Sequence, residues 1–132
     1  MIDAMPFARA MGIRLVEAGP QRVVAEMFVR DDLCTSNAIL HGGAVMAFAD
    51  SVGAVGTMLN LPEGAGTTTI ESKTNFVGAV RAGETARAVS EPIHIGRATM
   101  VWQTRITRGD GKLAAIVTQT QMTLVGQTRQ PA

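Results

Sequence analysis

The stretch from His41 to Leu61, HGGAVMAFADSVGAVGTMLNL, limits what this chain can fold into more than any other part of it. Between Gly42 and Asn60 the only charged residue is Asp50; the rest are small, apolar, Ser, Thr or Gly. A segment apolar on all sides reads as a buried helix rather than a surface one. Gly42 and Gly43 open it, where backbone N–H groups lack intrahelical partners and the macrodipole is positive. Such an end is suited to polarising a carbonyl oxygen or holding an anion.

Asp50 sits in that helix at a cost, because an ionised carboxylate in apolar surroundings needs a partner or a task. It lies two turns after Gly43, on the same face, and about 10 Å further along the axis at 1.5 Å per residue. One small substrate group does not reach both within a single subunit. Two such helices running antiparallel across a twofold axis would bring each Asp50 to the other's Gly42–Gly43 end. The helix therefore predicts a dimer with shared sites. The competing reading is a structural Asp50 bonded to a neighbouring backbone group.

The same run is the only transmembrane candidate, and Asp50 at its middle, its Gly and Ala content and the strand-like flanks argue against a span. With 132 residues and 46% hydrophobic content, the chain fits one globular domain, taken as residues 1–125 with a flexible tail 126–132. A net charge of +1 gives no indication of nucleic-acid or membrane-surface binding. One cysteine, Cys34, excludes an internal disulfide and suits a reducing compartment. His41 and His94 are too far apart to form a metal cluster of familiar spacing. The N-terminus lacks the basic start and long apolar core of a signal peptide, so a cytoplasmic location is expected.

Around the helix the pattern is that of strands. Asp3 to Met11 reads as a short helix with Pro6 in its first turn, ended by Gly12. Ile13 to Ala18 and Arg22 to Arg30 read as strands joined at Gly19-Pro20, with Val23, Ala25, Met27 and Val29 on one face. Thr67 to Val77, Thr85 to Ile93, Arg97 to Thr107 and Leu113 to Val125 follow as four strands, expected to run as a meander. Arg108-Gly109-Asp110-Gly111 is a strong hairpin turn signal. The class is α+β: a curved antiparallel sheet wrapped around one long central helix.

A helix entered by Leu40-His41-Gly42-Gly43, with Asp50 nine residues after the His and Gly53 beyond it, resembles the hotdog-fold acyl-CoA thioesterases. So do Thr67-Thr68-Thr69-Ile70-Glu71, Asn75-Phe76, Ala82-Gly83 and Gly96-Arg97. The phenylacetate-pathway (PaaI-like) branch matches best, over roughly Phe7 to Val125. The resemblance implies hydrolysis of an acyl-CoA to the carboxylic acid and CoA by a homodimer or homotetramer, with no cofactor. It implies that the Gly42 N–H donates to the thioester carbonyl. It implies that Asp50 of the partner subunit acts as nucleophile or general base, assisted by Thr69, with Thr68 as the neighbouring alternative. The usual Asn or Gln six residues before the His is Thr35 here, Asn37 is the only nearby amide, and Ala38 replaces the usual Gly. That departure leaves a non-catalytic acyl-CoA-binding protein of the same fold as the alternative reading.

His41 then orients the loop or bonds near the thioester, and Gly43 shares the helix entrance. Arg97 suits CoA phosphates, since a guanidinium fork fits them, and Asn75 is a candidate for the acyl or pantetheine channel. Cys34 has no basic neighbour to activate it as a nucleophile.

Overall fold

In the computed structural model, which describes residues 1–126, the chain starts with two short turns of helix rather than one continuous helix. A 3-10 turn, Ile2–Ala4, is separated from helix α1, Pro6–Met11, by Met5 in an extended conformation. The expected single helix from Asp3 is corrected because a residue before proline is driven out of the helical region. Pro6 instead opens α1 at its first position. Gly12, at φ 78, closes α1 in the left-handed conformation, as its position suggested.

Strands β1 (Ile13–Gly19) and β2 (Arg22–Phe28) form a hairpin. Val23, Ala25, Met27 and Val29 are fully buried on its inner face, as the alternation required. A 3-10 turn, Asp31–Leu33, and a loop lead into helix α2, Gly42–Met58. Strands β3 (Gly66–Phe76), β4 (Thr85–Ile95), β5 (Thr99–Thr107) and β6 (Leu113–Leu124) complete the fold. All pairings are antiparallel, and α2 packs against every strand of the curved sheet.

The strand order is β1-β2-β4-β5-β6-β3, so the expected four-strand meander is corrected. Only β4, β5 and β6 run as one. β3 lies at the far edge and pairs with β6, Gly66 opposite Leu124 through Phe76 opposite Ala115. Tight hairpin loops join neighbours, and residues 77–84 between β3 and β4 are not one. The turn between β4 and β5 corrects the placement of Arg97. β4 runs on to Ile95 and the Gly96 N–H donates to Thr99 O at 2.9 Å, so Arg97 sits inside a turn rather than at a strand start.

Phe48, Ala49, Val52 and Val55 carry the buried side of α2. Two glycines let the sheet come close. A methyl group at Gly56 would lie 2.5–2.8 Å from the fully buried Trp102 ring. One at Gly53 would lie 2.5 Å from the amide carbon of Gln119, also fully buried. The helix ends at Met58, where the Asn60 side chain donates to Gly56 O and reaches across to Pro20 O. Met46 and Met58 remain exposed on the opposite flank. Among the described residues no helix is long and apolar enough to cross a membrane. The expected frayed tail lies, from residue 127, outside the described residues.

Candidate active site

Asp50 lies part-buried on α2, facing β3 and β6. From β3, the Thr69 hydroxyl donates to Asp50 Oδ1 at 2.6 Å. From β6, the Gln119 amide donates to the same Oδ1 at 3.2 Å and to the Asp50 carbonyl at 3.3 Å. Behind Thr69, Gln121 donates its Nε2 to Thr69 Oγ1 at 2.6 Å, and Thr67 Oγ1 lies 3.0 Å from Gln121 Oε1. Oδ2 of Asp50 has no bonded partner among the described residues. The carboxylate is thus held by one oxygen and free at the other.

The helix entrance is built around His41, the N-cap of α2. Its Nδ1 accepts the Gly43 N–H at 2.8 Å, satisfying one of the orphan donors. A ring accepting through Nδ1 carries its proton on Nε2 when neutral. The Gly43 N–H is thereby engaged, whereas the Gly42 N–H has no partner among the described residues. The Phe76 ring lies over Gly42, where a Cβ would be 3.2 Å from the ring. Two cavities flank this entrance. One of about 320 Å³ is lined by Phe7, Met11, Leu33, Cys34, His41 and Ala44; the other, about 360 Å³, by Thr35, Ile39, Gly42, Val45, Phe76 and Val80. Gly42 and Asp50 are eight residues apart in one helix, about 12 Å along its axis.

The structure therefore brings Asp50 and Thr69 together, and gathers His41, Gly42, Gly43 and Thr35 at the helix entrance. The remaining candidates stand apart. Thr68 is exposed on the opposite face of β3 from Thr69. Asn37 is exposed, and its N–H donates to Thr35 Oγ1 at 3.2 Å. Asn75 is exposed and accepts from Lys73 Nζ at 2.8 Å. Arg97 is exposed in its turn. Cys34 Sγ donates to Arg30 O at 3.3 Å, and desolvation together with Asp31 and Asp32 pushes its thiol above the usual value. That environment is the reverse of an activated nucleophile.

Gln119 and Gln121 escaped the sequence reading. A signal was present: they continue the inner face of β6 after Ala115 and Val117, where an alternating strand buries its side chains. Two amides at consecutive inward positions are polar groups that need buried partners.

A family model of the thioesterase superfamily matches residues 37–115. The 1,4-dihydroxy-2-naphthoyl-CoA hydrolase of Listeria monocytogenes is 27% identical over 112 residues, covering 85% of this chain and 90% of that protein. Among solved structures, a mutant thioesterase of Pseudomonas aeruginosa superposes with a TM-score of 0.87 at 28% identity, covering 93% of this chain and 91% of that one. A mutant of the phenylacetic acid degradation protein of Thermus thermophilus superposes with a TM-score of 0.81 at 25% identity, over 89% and 97%.

Proposed function

Because the chain belongs to the thioesterase superfamily, we propose that it hydrolyses an acyl-CoA thioester to the carboxylic acid and free CoA, with Asp50 as the catalytic carboxylate. The observation that carries this reading is the half-tied state of Asp50, with Oδ1 bonded to Thr69 and Gln119 and Oδ2 without a bonded partner among the described residues. The CoA carrier is taken from the naphthoyl-CoA hydrolase among its relatives.

A separation of about 12 Å between Asp50 and the Gly42 N–H supports a site in which the two come from different subunits. In this reading a homodimer, alone or paired into a tetramer, sets the Gly42 N–H of one subunit against the thioester oxygen. Asp50 of the other subunit then faces the carbonyl carbon. As general base, Asp50 Oδ2 takes a proton from water while the water oxygen adds to that carbon. The tetrahedral oxyanion is stabilised by the Gly42 N–H. Collapse breaks the C–S bond, and the Asp50 carboxyl passes the proton taken from water to the departing thiolate, which leaves as the CoA thiol. As nucleophile, Oδ2 adds directly, thiolate leaves, and water opens the resulting anhydride. His41 shapes the helix entrance rather than moving protons. Thr35 offers a hydroxyl where the family's amide would stand. We place the reaction in the cytosol, where a reduced Cys34 is expected.

Thr35 at the amide position also favours a second reading, an acyl-CoA-binding protein without turnover. Thiol release separates the two. Acetyl-, hexanoyl-, palmitoyl-, phenylacetyl- and hydroxybenzoyl-CoA are offered to the wild type and to Asp50→Asn. The hydrolase reading expects turnover of at least one, with a loss of about a hundredfold or more in the variant. Binding of CoA without thiol release from any of the five would leave the binding protein. Full activity in Asp50→Asn would remove the central residue of the mechanism.

A further inference from the structure

The hydrogen bonds behind Asp50 run in one direction. Thr69 has a single hydroxyl proton and gives it to Asp50 Oδ1, so its lone pairs need a donor from behind. Gln121, 1% exposed, is that donor, at 2.6 Å. Its carbonyl end in turn meets the Thr67 hydroxyl at 3.0 Å, whose single proton is shared with Met122 O at 2.9 Å. Turned round, the Gln121 amide would present oxygen to Thr69 and compete with Asp50 for the one proton. Register supports the arrangement: Thr69 and Gln121 are directly opposite, and a bulge begins immediately after Thr69. Bulges re-aim side chains beside functional sites, and here Thr69 points at α2 while the bulged Ile70 is exposed.

From this geometry we infer that Gln121 is a positioning residue for the hydrolysis, acting on Asp50 through Thr69 without touching it. The inference rests on the hydrolase reading above. Gln121 commits the Thr69 proton to Oδ1, and that bond together with the one from Gln119 fixes the plane of the carboxylate. Oδ2 is then the oxygen presented to water or to the thioester. Without Gln121, the Thr69 hydroxyl is free to turn, and the carboxylate loses the bond that orients it. The loss falls on the chemical step and not on substrate affinity, because none of these atoms needs to touch the CoA.

The test is a double-mutant cycle read in kcat and KM, on whichever acyl-CoA the wild type turns over. Gln121→Leu is expected to lower kcat about tenfold, the value of one hydrogen bond, with KM within twofold of wild type. Thr69→Val lowers kcat by at least as much. The double variant stays within twofold of Thr69→Val alone, since Gln121 acts only through Thr69. Gln121→Met, unbranched and equally without a donor, is read in the same way if the leucine variant does not fold. Wild-type kcat in a folded Gln121 variant overturns the inference. So does a full tenfold cost in the Thr69→Val background, which would mark a packing role. Wild-type turnover that collapses in Asp50→Asn beside a silent Gln121 overturns this inference alone. No thiol release by the wild type overturns the hydrolase reading and this inference with it.

Discussion

Gly53→Ala puts the support of Asp50 to a sharp test, because the substitution acts on the carboxylate only by way of Gln119. The added methyl would lie 2.5 Å from the Gln119 amide carbon and 2.9 Å from its Nε2, so the amide has to move. Gln119 is fully buried and has little room. Forcing it aside costs about 1 to 3 kcal/mol as overpacking. Alanine in a helix interior returns about 1 kcal/mol over glycine. Losing the amide bond to a carboxylate adds about 1.5 kcal/mol or more. The net loss is about 1.5 to 3.5 kcal/mol, or roughly 5 to 14 °C in Tm for a chain of this size. Thiol release should fall at least tenfold, since Oδ1 loses one of its two donors. Gly56→Ala is the control. Its methyl meets three Trp102 ring atoms at 2.5–2.8 Å, and a buried ring cannot bend away. After the same helix return it should cost about 2 kcal/mol or more yet leave kcat per folded protein within twofold. Thermal unfolding at one protein concentration and kcat below the melting range decide the matter. Gly53→Ala with wild-type Tm and kcat would refute the reasoning, and so would an equal loss of kcat in both variants.

Two further outcomes follow from other positions. Ala38 holds φ 58, a left-handed geometry that glycine takes without strain, so Ala38→Gly should stabilise by about 0.5 to 1 kcal/mol in urea unfolding; no gain would refute the strain. Asp110, in the β5–β6 turn, is held below its usual carboxylate range by the Lys112 N–H first and the Arg108 guanidinium second. Its contribution is therefore present above the unfolded value and lost as pH falls through the lower folded one. Thermal unfolding of wild type beside Asp110→Asn should show a small gap near neutrality that closes in acid; a gap of constant size into strong acid would refute it.

The elements set by local chemistry were legible in the sequence. Helix α2 could be read because Asp50 is the only charge between Gly42 and Asn60, and β2 because Val23, Ala25, Met27 and Val29 alternate onto one face, although Val24 on the other face is buried as well. The position of β3 was not legible, since its pairing with β6 joins segments some fifty residues apart and no turn residue encodes it. Thr69 came from the resemblance to the hotdog thioesterases, with Thr68 as its alternative, and the structure bonds Thr69 to Asp50. Gln119 and Gln121 were passed over because an amide in a strand carries no charge to stand out. Only the knowledge that their face is buried turns them into a demand for partners. The exposed Thr68, Asn75 and Arg97 show the converse, for residue type alone does not say which face of a strand or which part of a turn a side chain occupies.

The far-edge pairing of β3 with β6 has a consequence for how the site is made. Asp50 and Thr69 are nineteen residues apart, but Gln119 and Gln121 come from the last strand, 69 and 52 residues after their partners. Contacts of such separation close late, after the entropy of the intervening loop has been overcome. A chain growing from its N-terminus can form the β1–β2 hairpin and the first turns of α2 early. The inner edge of β3 and the carboxylate itself stay open until β6 has been made. Assembly of the catalytic constellation and closure of the sheet are then one event, so pulse-labelled hydrogen exchange should see amides of β3 and β6 become protected together and last.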